Sequence, residues 1–388
     1  MKFVIAPDSF KGSMTAKEAA LAIQVGLQKI YPDADYELVP MADGGEGTVQ
    51  SLVDATDGDI IAVDATDGDI IAVDVQNPLG ETVTAFYGVL GDGQTAVIEM
   101  SAASGIQFVT EETKNPLITT TFGTGQLIKD ALNRGLRRFI VGLGGSATND
   151  GGAGMAEALG VRFLDENGQQ IAHGGAPLAQ LSRIDMSHID PRVAESEILL
   201  ASDVTNPLVG ETGASAVFGP QKGATPAMVA ELDTALTNYA KMIKAQLGID
   251  LANTPGAGAA GGLGAGMLAF TQAKMQSGIS LVVAATALVA KSANADVAFV
   301  GEGAIDFQTQ YGKTPMGAAQ AIKQASPDAK VIGLAGYVGD GIDALYDLGI
   351  DAVFSIVPGA VDLPTAMKAG EANLTRTAEN IARLLNTK

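Results

Sequence analysis

Residues 2–30 read KFVIAPDSFKGSMTAKEAALAIQVGLQKI, and their reading decides the fold class. Phe3, Val4, Ile5 and Ala6 form a short unbroken apolar run, which predicts a parallel strand buried on both faces. A polar turn follows, Asp8-Ser9-Phe10-Lys11-Gly12-Ser13. Thr15 and Glu18 have the spacing of a capping box, in which each side chain satisfies a free backbone N–H at a helix start. Leu21, Ile23, Val25, Leu27 and Ile30 carry the apolar positions of that helix.

The C-terminal hundred residues repeat this rhythm. Strands are expected at 297–300, 331–335 and 352–356, with helices over 315–324 and 342–348 and a closing helix marked by Leu374, Ala378, Ile381 and Leu385. Strands alternating with helices imply a parallel sheet covered on both faces, so the two chain ends are expected to share one α/β domain. The middle is less regular. Residues 83–89 and 94–100 read as a hairpin around Gly91-Asp92-Gly93, which suits a mixed sheet. A second α/β domain inserted into the first is the expectation: 1–75 plus 275–388 for the first, 76–274 for the second.

At 388 residues the chain is comfortable for two domains, and 47% hydrophobic content suffices for a core. Lys and Arg number 24 against 44 Asp and Glu, a net charge of −20. That balance argues against nucleic acid, whose binding needs a basic face, and against a membrane surface. Cysteine is absent, which excludes disulfides, zinc–thiolate sites and a thiol nucleophile. The only histidines are His173 and His188, both expected at the surface, so a general base is expected among the carboxylates. The apolar stretch 279–290 falls short of the roughly 18–20 residues a membrane span requires. The start carries no leader pattern, so a cytoplasmic protein is expected.

Residues 53–62, VDATDGDIIA, recur letter for letter at 63–72. The acids and glycine do not fall at the positions of a calcium loop. A tandem duplication accounts for the pair, with one copy continuing the regular chain and the other accommodated as a surface excursion, since loops tolerate added length cheaply. A chain lacking 63–72 is expected to keep its melting temperature and activity; loss of either would refute this account.

Five glycine-rich polar clusters carry the chemistry. Asp8 to Ser13 follows the first strand, where α/β sheets bind ligands. Met41 to Thr48 holds Asp43 and Glu46 between glycines, a pattern for Mg²⁺ or phosphate as well as for a plain turn. Residues 142–154 combine Gly144, Gly145, Ser146, Thr148 and Asn149 ahead of a helix start, as an anion site requires, and lack the lysine of a Walker A loop. Asp203 and Asn206 lie three apart after the strand 198–200, with Lys222 further on in FGPQKG; a shared metal, a substrate hydroxyl and a simple Asx turn all fit the acid and amide. Last come 255–266, with Gly256 and Gly258, and the pair Glu302 and Asp306. The glycines are too dense for a stable helix interior, so the segment either wraps a ligand or forms a small-residue packing seam. The carboxylates suit Mg²⁺-assisted phosphoryl transfer.

Together, APDSFKGSMTA at 6–16, PMADGGEGT at 40–48, GGSATNDGGAGM at 144–155, SDVTNPLVG at 202–210, FGPQKGA at 218–224, PGAGAAGGLGAG at 255–266 and GEGAIDFQTQYGK at 301–313 resemble the signatures of the bacterial glycerate kinase family, in order along nearly the whole chain. The resemblance implies transfer of the γ-phosphoryl group of ATP, with Mg²⁺, to D-glycerate, 2-phosphoglycerate being favoured as product. It also implies two α/β domains, one Rossmann-like and discontinuous, with the active site between them. Two departures stand out: the ten-residue repeat, and Ala304 in GEGAID, where many relatives carry a basic residue. If that residue meets phosphate in them, Lys11, Lys222 or Lys313 must serve here.

On this reading Asp8, Lys11, Asp43 and Asp203 are catalytic candidates. Ser9, Asn206 and Lys222 are candidates for substrate. Gly144, Gly145, Ser146, Thr148, Asn149, Gly256 and Gly258 are candidates for nucleotide phosphates, and Glu302 and Asp306 for metal. The expected partner is a small molecule, with self-association left open. Two alternatives remain: another small-molecule kinase with a glycine-rich phosphate loop, and a non-catalytic two-domain ligand-binding protein.

Overall fold

The computed structural model describes residues 1–42, 48–55 and 70–387. The described chain divides into two compact units: 1–42, 50–55 and 279–387 form one, and 48–49 with 70–278 the other. Asp43, Glu46 and most of the VDATDGDIIA pair lie outside the described residues.

The first unit is built on a five-stranded, wholly parallel sheet in the order Ala352–Ser355, Lys330–Val338, Val297–Ile305, Lys2–Pro7, Asp35–Leu38. The opening strand pairs Phe3 with Val297 and Pro7 with Gly301, so the chain's two ends meet in its centre. Thr15 and Glu18 form the capping box of helix Ala16–Gln28. That helix packs with Gly370–Leu385 over one sheet face, enclosing Phe3, Ile5, Phe299, Ile23, Leu27, Leu374 and Ala378, all fully buried. Phe3 stacks on Tyr36 at 5.4 Å between ring centroids.

The strand expected to end at Val300 runs on to Ile305. Glu302 therefore lies inside the strand, opposite Ala335, and Asp306 directly follows it. Residues 301–304, GEGA, are poor strand formers by composition; parallel partners on both sides at Gly301 and a continuing ladder to Lys330–Val338 override that.

The second unit carries a six-stranded mixed sheet, ordered Lys274–Gln276, Glu197–Ala201, Arg138–Gly142, Thr95–Glu99, Thr82–Val89, Ile70–Gln76. The first four strands are parallel and the last two run as an antiparallel edge. Strand Ile70–Gln76 lies whole within this sheet, so the domain boundary expected at residue 75 falls inside a strand of the second unit.

The glycine-rich stretch corrects an expectation. Helix Ala259–Phe270 includes Gly264 and Gly266, although Ala260, Gly261 and Gly262 within it take left-handed backbone angles. A small-residue packing seam is seen in how closely these glycines approach other backbone. The missing Gly261 side chain is the reason. At φ +68°, a Cβ on Gly261 would lie 1.9 Å from the Thr148 carbonyl oxygen, and one on Gly266 would lie 2.6 Å from that of Gly151. Gly261→Ala is expected to cost several kcal/mol, since left-handed strain of about 1–3 kcal/mol adds to a backbone clash. Gly168→Ala, at φ +75° with open space around it, should lose only the strain. Thermal melts of the pair test this, and equal losses would refute the seam.

Candidate functional site

In the first unit the carboxyl ends of the parallel strands collect acids. Asp8 N–H donates to Gly301 O at 2.8 Å, which places Asp8 beside Glu302 on the neighbouring strand. Asp8 Oδ2 accepts from Thr314 Oγ1 at 2.6 Å, and Thr314 opens the helix Thr314–Ala325. Asp8 Oδ1 accepts from the Ser9 N–H. Lys11 is exposed on the same turn. Asp306 is engaged differently. Its Oδ1 accepts from Gln308 N–H at 2.8 Å as the cap of the short helix Phe307–Tyr311, and Lys313 Nζ stands 3.7 Å away. A capping carboxylate beside a lysine is a poorer metal ligand than the sequence suggested for Asp306. Among the described residues no group of three or more Asp, Glu or His side chains is placed to hold a metal ion.

The second unit contains a cavity of about 360 Å³. Gly144, Gly145, Ser146 and Lys222 line its polar side. The loop reaches it because the strand Arg138–Gly142 ends there and the chain turns at Gly145, whose carbonyl accepts from Ile106 N–H at 2.8 Å. Among the described residues the N–H groups of Gly144, Gly145 and Ser146 meet no protein acceptor. Three such groups in succession are what an anion needs.

Lys222 is the cation of this pocket, and it is only 2% exposed. Its Nζ donates to Thr148 O at 2.6 Å and Ser146 Oγ at 3.1 Å, and Ser146 Oγ in turn reaches Ala260 O at 3.3 Å. One side chain thus fastens three glycine-rich segments. Burial pushes the Lys222 ammonium down to about 7, while the charge of Asp150 works against that shift.

The other candidates separate. Thr148 and Asn149 are fully buried; Thr148 serves Lys222 and Asn149 Nδ2 donates to Ser215 Oγ at 2.9 Å. Gly258 N–H donates to Asn206 O at 3.0 Å, and Gly256 is buried at φ +83°. Neither glycine lines the cavity, because the seam has closed around them. Asn206 Nδ2 holds Thr212 O at 2.8 Å, an internal loop bond. Asp203 is exposed, next to the cavity residue Val204, and its Oδ1 accepts from Gly278 N–H at 3.2 Å.

Asp150 was not singled out by sequence. It is fully buried and accepts from Thr121 N–H at 2.8 Å, Gly152 N–H at 3.0 Å and Gly154 N–H at 3.2 Å, tying the loop to residues 120–122 and to the helix Ala153–Ala158. The run of three threonines at 119–121 was the available signal. His173 is also corrected. It is half-buried, with Nε2 3.2 Å from Glu157, whose hydrogen bond raises the imidazole pKa, and its ring packs 5.1 Å from that of Phe122.

Strand-end acids on a parallel sheet, and a loop of open amides with a buried lysine, are the equipment of an α/β protein that handles anionic ligands. The chain belongs to the glycerate kinase family, whose profile matches residues 3–386. It is 53% identical to a glycerate kinase of Halalkalibacterium halodurans, over 98% of this chain and 97% of that protein. It is 48% identical to the glycerate 2-kinase of Escherichia coli K12, over 99% and 98%. A crystal structure from Salmonella typhimurium LT2, ascribed to glycerate kinase 2, superposes with a TM-score of 0.88 at 48% identity, covering 99% of this chain and 98% of that one. The α/β architecture expected from the sequence is that of this relative.

Proposed function

We propose that this protein transfers the γ-phosphoryl group of ATP to D-glycerate, giving 2-phosphoglycerate and ADP. The full-length match to the glycerate kinase family carries this reading, and the E. coli relative named a glycerate 2-kinase supports the choice of hydroxyl. The cytoplasm is the proposed location, since the reaction draws on ATP.

The roles follow from the chemistry of each group. The amides of Gly144, Gly145 and Ser146, with the Lys222 ammonium behind them, receive phosphate oxygens; positioning and charge neutralisation supply most of the catalysis in phosphoryl transfer. Lys11 and Ser9 bind the glycerate carboxylate. Asp8 accepts the proton of the attacking hydroxyl as its oxygen bonds to phosphorus and the bond to ADP breaks. Thr314, donating to Asp8 Oδ2, orients that carboxylate. Glu302 fits Mg²⁺, which takes one or two carboxylates and keeps several waters. When bound, the ion neutralises charge on the phosphate oxygens.

Release of ADP that depends on added D-glycerate tests the reaction, and phosphorus NMR of the product separates 2- from 3-phosphoglycerate. No glycerate-dependent ADP would refute the proposal, and a 3-phosphoglycerate signal would refute its regiochemistry.

A further inference from the structure

The cavity above Lys222 has walls that the phosphates do not use. Ile106, Leu143, Val204 and Phe218 form them, and Gln221 joins them. Ile106 is 39% exposed, yet its backbone is fastened to Gly145, so this wall adjoins the open amides. Glycerate has three carbons, two hydroxyls and a carboxylate. It has no apolar face to set against four hydrocarbon side chains, and burying it there would strip its polar groups of partners. A nucleoside is the opposite: its base has two flat apolar faces and a polar edge. A volume of about 360 Å³ lies in the range of small-molecule sites.

The Gln221 side chain is exposed and lies next in sequence to Lys222. A carboxamide presents one donor and one acceptor side by side, and the edge of adenine presents an acceptor nitrogen beside an amino group, its complement. We propose that this cavity takes the nucleoside of ATP, with the base between the four apolar side chains and Gln221 reading the adenine edge. The inference rests on the kinase reading and adds to it the seat of the base and a residue that sets purine choice.

Two variants of the full-length protein test it, with binding of a fluorescent methylanthraniloyl-ADP, in the absence of glycerate, as the first readout. Ile106→Trp fills the cavity. It should weaken nucleotide binding and raise the KM for ATP at least about tenfold, leaving the KM for glycerate within about twofold. Gln221→Glu, on an exposed side chain, should fold normally. Its carboxylate accepts from the two N–H groups of the guanine edge, so the ratio of kcat/KM for ATP over GTP should fall at least about tenfold. A rise in the glycerate KM without a change for ATP would overturn the proposal and give the cavity to the acceptor. Unchanged nucleotide binding in a folded Ile106→Trp protein, or an unchanged purine ratio in Gln221→Glu, would overturn it as well. Wild-type protein that binds the nucleotide in this way but releases no ADP with glycerate would support the cavity assignment and refute only the kinase reading.

Discussion

Asp8→Asn is expected to lower kcat by about 10²–10⁴-fold, the usual contribution of a positioned general base. The substitution is nearly isosteric. The amide oxygen can still accept from Thr314 Oγ1 or from Ser9 N–H, both of which donate to Asp8 now. What it cannot do is take up the hydroxyl proton. The melting temperature should therefore stay within a few degrees and the KM for ATP should change little, with the loss confined to kcat. Asp203→Asn is the internal comparison. Asp203 is exposed and caps Gly278 N–H, a role that asparagine can keep, so its effect should be much smaller. Asp43→Asn belongs in the same series. Near-normal turnover of all three variants would refute the assignment of the base to these carboxylates. A large loss at Asp203 with none at Asp8 would move the base to the second unit.

The rhythm of strand and helix at both chain ends was legible because parallel strands buried on two faces leave continuous apolar runs, as at Phe3–Ala6. The glycine-rich loop after the strand Arg138–Gly142 was legible for a related reason: glycines next to hydroxyl residues after a strand leave few structural alternatives. What was hidden is the division of labour within each cluster. Thr148, Asn149 and Gly258 have the composition of phosphate ligands, but Thr148 O accepts from Lys222, Asn149 Nδ2 donates to Ser215 and Gly258 N–H donates to Asn206, while the buried Asn149 Oδ1 has no hydrogen-bond partner among the described residues. Glycine density likewise has two physical causes, room for a ligand and room for another backbone. The approach of Gly261 to Thr148 O shows the second cause at that position. Apolar cavity walls such as Ile106 and Leu143 carry no signal at all, because a hydrocarbon side chain in the sequence reads as core whether it faces a helix or an empty slot.

Lys222→Met carries the second large effect, and its sign depends on pH. With a pKa pushed down to about 7 from an ordinary 10.5, the Lys222 ammonium is charged in the fold only below about pH 7. A bound phosphate prefers the charged form, so wild-type affinity for ATP should be full below about pH 7. Above it the affinity should weaken towards tenfold per pH unit, until the bound-state pKa is reached. A charge-assisted hydrogen bond is worth about 1.5–3 kcal/mol, so the methionine variant should bind ATP roughly 10–150-fold more weakly at pH 6, and its profile should be flat through pH 7–8. Stability moves the other way. Below about 7 the folded and unfolded chains both hold the proton, and the fold bears the whole cost of the buried charge. Between about 7 and 10.5 the folded chain sheds the proton and the unfolded chain keeps it, so wild-type stability gains on the order of 1 kcal/mol per pH unit relative to the variant. Nucleotide titrations and denaturant melts at pH 6, 7 and 8.5, run on both proteins, read the two trends independently. Parallel pH profiles for wild type and variant would show that Lys222 neither binds the anion nor titrates near neutrality, and the pocket would then rest on its three amides alone.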